Sequence, residues 1–399
     1  MINKKILFVT KDISANENSD GTSIILHNLL SRLSNYSIEV IYFGVKNLDA
    51  EKYFTKQKVK VHHQNLIINK VSFSETVRGF KFLKPFNSFK FKYSLFNIEL
   101  FNCYDYYCFL GFESGFLIPF FRETSNKNII YFQIDSLSLY YKRAFSISKS
   151  LIHKIYNRLQ FHLIHKCEKI FYSLSSKIIF ISTVDKVFAI NLFSNIPSEI
   201  FFNLKLGIDE SNHMWNFNEV RSDFNVVFTG NLDYKPNFEA ASFIINKILP
   251  QFSELNFNLK FHIVGKYSKN LKVDLGINDD DRVVIPGFVD DLNEYLSKMD
   301  VFISPLFIGS GMKNKILKSM SIGVPIICTS LSVDGIEEMV DGLNCFICDS
   351  NSGIIWKDKL LSLLLNERLM NSFSNNTISI AKAHYNWNYL VNDFIKIID

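Results

Sequence analysis

The sequence predicts an α/β protein built from two doubly wound parallel-sheet domains, and three observations lead there. The chain has 399 residues, which at roughly 100–200 residues per domain is too long for one ordinary core and suits two. Short apolar runs of the buried-strand kind alternate with helix-length periodic stretches in both halves, the pattern of strand-helix-strand units on a parallel sheet. No stretch reaches about 18 uninterrupted apolar residues, and 47% hydrophobic with 21% charged residues is the composition of a globular chain.

In order along the chain, residues 6–9 read as a buried strand, a polar loop runs through Gly21, 24–33 form an apolar-periodic helix and 38–43 the next strand. The apolar run 106–121 is broken by Glu113, glycines and a proline, so it reads as a strand over 106–110 followed by loop. Further strands are expected at 128–132, 177–182 and 200–204, with a long helix over 151–172. The second half starts afresh, with strands at 226–229, 260–264, 283–285, 301–304, 325–329 and 345–347 and helices at 238–252, 291–299 and 315–322. Trp387, Leu390, Val391, Phe394 and Ile395 then follow the spacing of one buried helical face. The expected domains are 1–206 and 207–380, with 381–399 a terminal helical segment packing back toward the first. Ligands of such sheets bind outside the carboxyl ends of strands, which puts the expected site in a cleft between the domains.

Composition narrows the chemistry. Cys345 and Cys348 make one Cys-x-x-Cys with no second pair at knuckle spacing, which suits packing rather than a metal site. His162 and His165 lack the carboxylate-bearing metalloprotease pattern, so no metal is expected. The apolar run at 6–9 ends at Thr10 and Lys11, short of the roughly 7–15 residues of a secretory signal, and a cytoplasmic station is expected. A net charge of +5 argues against nucleic acid as the main partner. One segment is strongly basic: from Arg78 to Lys92 the chain carries Arg78, Lys81, Lys84, Lys90 and Lys92 among phenylalanines and no acid. Cationic heads with aromatic anchors suit an anionic membrane surface. The bias of a chain with 39 phenylalanines explains the same segment equally well.

The segment with chemistry is Ser304-Pro305-Leu306-Phe307-Ile308-Gly309-Ser310-Gly311-Met312-Lys313-Asn314-Lys315, which leaves a buried strand, turns through glycines and enters a helix. Glycines admit a phosphate to the backbone, the helix N-terminus adds about half a positive charge, and Lys313 and Lys315 add full ones. The dinucleotide fingerprint and the P-loop are both excluded, since their third glycine and Gly-Lys-Ser/Thr are missing.

Five ordered blocks around this turn resemble the nucleotide-sugar-dependent glycosyltransferases of family 4 (group 1) and the GT-B fold, in which two Rossmann-like domains face each other across a cleft. They are Val227-Phe228-Thr229-Gly230-Asn231-Leu232-Asp233-Tyr234 with Pro236-Asn237, His262-Ile263-Val264-Gly265, Pro286-Gly287-Phe288-Val289-Asp290-Asp291-Leu292, Ser319-Met320-Ser321-Ile322-Gly323-Val324-Pro325, and Asp334-Gly335-Ile336. In the first half Asp20-Gly21-Thr22, Asp135-Ser136-Leu137-Ser138, Glu168 and Gly207-Ile208-Asp209 are similar in order. The resemblance implies a retaining, hexosyltransferase-like enzyme. It would move a sugar from a nucleotide diphosphate sugar to a glycan acceptor, polyprenyl-diphosphate-linked by expectation, in building O-antigen or capsule. No cofactor or obligatory metal is implied.

By the same resemblance Gly230, Gly287, Gly309, Ser310, Gly311, Lys313, Lys315, Lys318 and Gly335 form the donor site. Gly21 and Thr22 line the acceptor or diphosphate loop, and Asp135 is the candidate catalytic or acceptor-orienting carboxylate, with a helix cap as its alternative. Glu113 is either a cleft acid or a loop carboxylate facing water. The chain departs from the family where two glutamates eight apart are usual, with Ser310 and Lys318 in their places, and where a basic pair is usual, with Asn231 and Pro236. Lys318 therefore either joins the phosphate site or marks a weakened one. A nucleotide-sugar epimerase and a catalytically silent binding partner are the other function classes.

Overall fold

The computed structural model describes residues 4–15, 21–64, 69–70, 89–90, 103–123, 128–148, 150–216, 223–253, 258–277 and 280–399. The basic segment from Arg78 to Lys92 lies outside them apart from the Phe89–Lys90 backbone, as do Asp20 and residues 217–222. The chain divides into two compact units, Met1–Lys205 with Leu390–Asp399, and Leu206–Tyr389.

The first unit is a seven-stranded sheet in the order β3-β2-β1-β6-β7-β8-β9. Its strands are β1 (Lys5–Thr10), β2 (Ser37–Tyr42), β3 (Lys60–His63), β6 (Tyr106–Leu110), β7 (Asn128–Gln133), β8 (Lys177–Phe180) and β9 (Phe201–Asn203); β4 (Asn69–Lys70) and β5 (Phe89–Lys90) pair separately. All pairings of the large sheet are parallel, with Phe8 opposite both Val40 and Cys108. Both faces are covered, so the strands are continuous apolar runs, and Tyr107, Phe109, Tyr131 and Phe180 are fully buried. Strand order reverses between β1 and β6, and that switch point aims the ends of β1, β6 and β7 at one edge.

After β6 the structure corrects the expected loop: residues continue into helices Phe112–Gly115 and Ile118–Glu123. The residues that suggested a loop have other reasons. A Cβ on Gly115 would sit 2.5 Å from the Phe171 ring, so glycine marks a close helix contact, and Pro119 lies in a first helical turn, where no N–H is missed. Helices that the sequence reading does not contain are Leu48–Lys56, Leu137–Ile147, Thr183–Leu192, Leu271–Leu275, Gly353–Leu364 and Glu367–His384, and β3, β4 and β5 are likewise additional to it.

The second unit is a six-stranded sheet in the order β12-β11-β10-β13-β14-β15. Its strands are β10 (Asp223–Thr229), β11 (Asn258–Val264), β12 (Val283–Gly287), β13 (Val301–Ser304), β14 (Ile326–Cys328) and β15 (Phe346–Ile347). All are parallel, and the order reverses between β10 and β13. The helix expected over 238–252 begins at Lys235, is α-helical to Phe243, and then passes through a π turn, Ile244–Ile248, and a 3-10 turn, Leu249–Phe252. Pro250 in that last turn has no N–H to continue the α pattern. The final helix is Trp387–Ile398. In the first unit Phe394 packs on Phe132 at 5.6 Å between ring centroids, and Asp399 accepts from Lys4, Tyr36 and Tyr106.

All six cysteines are free thiols, and Cys345 is fully buried beside Cys328, whose thiol is held well above its ordinary value by that neighbour and by burial. Among the described residues no group of three or more His, Cys, Asp or Glu comes together as a metal site, and no helix is long and apolar enough to cross a membrane.

Candidate functional site

In the second unit the turn between β13 and the helix Asn314–Ile322 is held from below by buried hydroxyls. Ser304 and Ser332 lie 3.0 Å apart at their Oγ atoms, Ser332 Oγ donates to the Ser304 carbonyl at 2.7 Å, and Thr329 Oγ1 donates to the Leu306 carbonyl at 2.5 Å. These pin the strand end, and the chain then turns through Gly311, whose φ of 71° is left-handed and suits glycine. Ser310 and Met312 are buried within the turn.

Lys313 is the N-cap of the following helix, with no side-chain cap bond. Its ammonium instead folds back to donate to the carbonyls of Ser310 at 2.7 Å and Gly311 at 2.6 Å. A full positive charge thus sits over the turn at the positive end of the helix dipole, with no acidic residue in the first helical turn.

Lys315 reaches the other way. Its Nζ donates to Asn237 Oδ1 at 2.7 Å and lies 4.3 Å from the centroid of the Phe228 ring. A Cβ on Gly230, at the end of β10, would come within 2.9 Å of that Nζ and 2.7 Å of Asn237 Nδ2. Gly230 is therefore the space in which the lysine head sits. The residue keeps a little surface, but its ammonium is enclosed by a neutral amide and an aromatic face. Burial first and the Lys313 charge second push its pKa from 10.5 down to about 7. Two cations at one helix start, one of them enclosed by a neutral amide and an aromatic ring, make a place suited to an anion.

Neighbouring strand ends complete the edge. Gly230 N–H donates to the Val264 carbonyl at 3.0 Å and Gly265 N–H to the Gly287 carbonyl at 2.8 Å, so the ends of β10, β11 and β12 are laced together beside the lysines. Gly287 faces open space at the end of β12. Lys318 is buried one turn further down the helix, and Gly335 is buried beyond β14. The structure thus brings Gly230, Gly309, Ser310, Gly311, Lys313 and Lys315 together, with Gly287 along the same edge. Asn237, Phe228 and Gly265 belong to this arrangement and were not singled out from sequence; the only signal was their place inside the first two resembling blocks.

In the first unit Gly21 and Thr22 open the helix Gly21–Arg32 after β1, and a Cβ on Gly111, at the end of β6, would lie 3.6 Å from Thr22 Oγ1. Asp135 is exposed past the end of β7, while Ser136 caps the helix Leu137–Ile147 by accepting from Leu139 N–H at 3.3 Å. The cap is thus the serine and not the aspartate. Glu113 lies on the helix Phe112–Gly115 rather than in a loop; its side chain is 41% exposed and pairs with Lys11 at 3.1 Å. Glu168 is fully buried, accepts from Gln133 Nε2 at 3.1 Å and from Ser138 N–H at 3.4 Å, and burial pushes its pKa up to about 7.

The family described as Glycosyl transferases group 1 matches residues 223–366. An uncharacterised glycosyltransferase of Methanocaldococcus jannaschii is 27% identical over 101 residues, 25% of this chain and 25% of that protein. The chain therefore spans about a quarter of that relative. An uncharacterised 44.6 kDa protein in the cps region of Klebsiella pneumoniae is 25% identical over 347 residues, 83% of this chain and 84% of that one. Among solved structures, Anabaena HepE in complex with UDP and glucose superposes with a TM-score of 0.69 at 12% identity, covering 99% of both chains. The shared fold is GT-B.

Proposed function

From the premise that residues 223–366 are a group 1 glycosyl transferase domain within a GT-B fold, we propose that the chain is a retaining glycosyltransferase using a nucleotide diphosphate sugar. The observation that carries the reading is the pair of lysine ammoniums at the uncapped start of the helix Asn314–Ile322, one over the turn carbonyls and one on Asn237. In the transfer the bond from the anomeric carbon to the diphosphate oxygen breaks and the electron pair leaves with the nucleoside diphosphate. The acceptor hydroxyl oxygen forms the new bond on the same face, and its proton passes to the departing diphosphate. Lys313, Lys315 and the helix N-terminus stabilise the charge that develops on the leaving group, a task that calls for no resident metal. Gly287 and the backbone beside it would receive the base, while Gly21, Thr22 and Asp135 serve the acceptor. A lipid-linked glycan in surface polysaccharide assembly, at the inner face of the cytoplasmic membrane, is the acceptor we favour. The relative in a cps region supports it.

Thermal shift against UDP, GDP, CMP and dTDP sugars tests the donor site. Occupancy at about 100 times Kd adds ~2.7 kcal/mol, worth several degrees in Tm. One nucleotide class is expected to give this shift, and Lys313→Ala to remove it; no shift with any class sinks the reading.

The silent-partner reading keeps one observation, Lys318 in place of the family's usual glutamate. In an active enzyme this buried cation adds to the anion site, and Lys318→Glu is expected to weaken donor binding ~10-fold, measured by titration calorimetry. Tighter binding in the variant would instead mean that Lys318 had degraded the site.

A further inference from the structure

The helices Leu137–Ile147 and Leu151–Leu174 pack against each other and are joined by a short connection. At their joined end large apolar side chains stand exposed. Leu151 is 72% and Ile152 77% exposed, and Ile155, Tyr156, Ile147 and Phe145 are exposed beside them. Positions 151, 152, 155 and 156 fall on one helical face, so the last turn of one helix and the first turns of the next form a single apolar tip. Asn157 Nδ2 donates to Ser148 Oγ at 2.9 Å, tying the end of the first helix to the long one.

The sequence of the two helices around this tip is basic. From Ser136 to Cys167 the sequence holds Lys142, Arg143, Lys149, Lys154, Arg158 and Lys166, and no Asp or Glu. Lys142 and Arg158 are exposed, and Lys142 lies 5.0 Å from the centroid of the Phe188 ring. Exposed aliphatic groups in a stretch that carries several cations and no acid fit a surface that is apolar a few ångströms down and negative above, which describes an anionic bilayer. A second copy of the chain fits poorly, because a two-fold contact sets the same patch against itself and here opposes like charges.

We infer that this helical tip docks the protein on anionic membrane lipids, with Leu151, Ile152 and Ile155 entering the acyl boundary and the surrounding lysines and arginines meeting headgroup phosphates. The placement serves the active end of the first unit. The helix Leu137–Ile147 runs from the Asp135 turn to the tip, and its 11 residues span about 16 Å. A docked tip therefore holds Asp135 at that order of distance from the bilayer, within reach of a sugar carried on a lipid diphosphate. This deepens the lipid-linked-acceptor reading, and its test involves neither donor nor acceptor, so the two fail separately.

The experiment is co-sedimentation of the full chain with phosphatidylcholine vesicles containing 30% phosphatidylglycerol, against pure phosphatidylcholine, at low and at 0.5 M salt. Binding is expected only to the anionic vesicles, at least 10-fold weaker at high salt, and at least 10-fold weaker in Leu151→Glu/Ile152→Glu. That variant changes exposed positions, and its Tm is measured alongside to show an intact fold. Binding that survives in the double variant but is lost in Lys81→Glu/Lys84→Glu would overturn the proposal in favour of the Arg78 to Lys92 segment. Absence of binding, or a dimer dispersed by the double variant in light scattering, would overturn it as well.

Discussion

Lys315→Met is expected to make the free protein more heat-stable at pH 6 while weakening nucleoside diphosphate binding on the order of 10–100-fold. The opposite signs come from one cause. An enclosed ammonium with neutral partners, Asn237 and the Phe228 ring, is costly until an anion arrives. The folded pKa near 7 lies below the ordinary 10.5, so between those values the unfolded chain holds a proton that the native state does not. Stability therefore falls as pH drops from about 10.5 to about 7, and the full cost is present below that. A bound diphosphate favours the charged form and raises the pKa again. Complex formation then takes up a proton, and affinity declines as pH rises above about 7, by at most ~10-fold per unit. Methionine preserves the chain's bulk and removes the titration, so the variant loses the pH dependence along with the affinity. Calorimetric melting at pH 6 and pH 9, and titration with UDP in two buffers of different ionisation enthalpy, read all three effects. A variant that melts lower at pH 6, or that keeps proton uptake on binding, would show that Lys315 is not the buried cation of the site.

How much of this was legible beforehand depends on distance along the chain. The strand at 301–304 was read with the bounds it has, because a fully buried parallel strand is an apolar run with nothing to dilute it. The helix Leu48–Lys56 buries only Ala50 and Phe54, a two-residue stripe that periodicity does not separate from noise, although its Asn47 cap was there to be seen. The lysine turn was legible because its glycines, lysines and helix start are contiguous. Its partners were not: Asn237 lies 78 positions from Lys315, and the two meet because β13 pairs with β10 at the reversal of strand order. Sequence shows that a cation is present, while the sheet decides whether a carboxylate or an amide receives it. Asp135 teaches the same lesson locally, since aspartate and serine are both good caps and only the geometry shows that Ser136 takes the Leu139 N–H.

The largest loss of stability is expected at Gly265, a position with no charge to draw notice. Its φ is +141°, a conformation that side chains rarely adopt, and a Cβ there would lie 1.9 Å from the Gly230 carbonyl oxygen. That oxygen is backbone, in a residue whose own N–H is bonded to the Val264 carbonyl at 3.0 Å, so it cannot swing aside as a long side chain would. Gly265→Ala must pay twice, for the backbone conformation and for parting two strand ends, and ~3 kcal/mol or more is expected. For a unit of this size that is a Tm fall of roughly 6–12 °C. Gly287→Ala separates the two costs: φ is +74°, but nothing lies within 4 Å of its added Cβ, so only the conformational part remains, about 1–2 kcal/mol. Equal melting shifts in the two variants would refute the close approach of Gly265 to Gly230. If the shifts differ as expected, nucleotide binding should fail further in Gly265→Ala than in Gly287→Ala. Displacing Gly230 closes the space that holds the Lys315 head, which ties the stability of this sheet edge to the charge it presents.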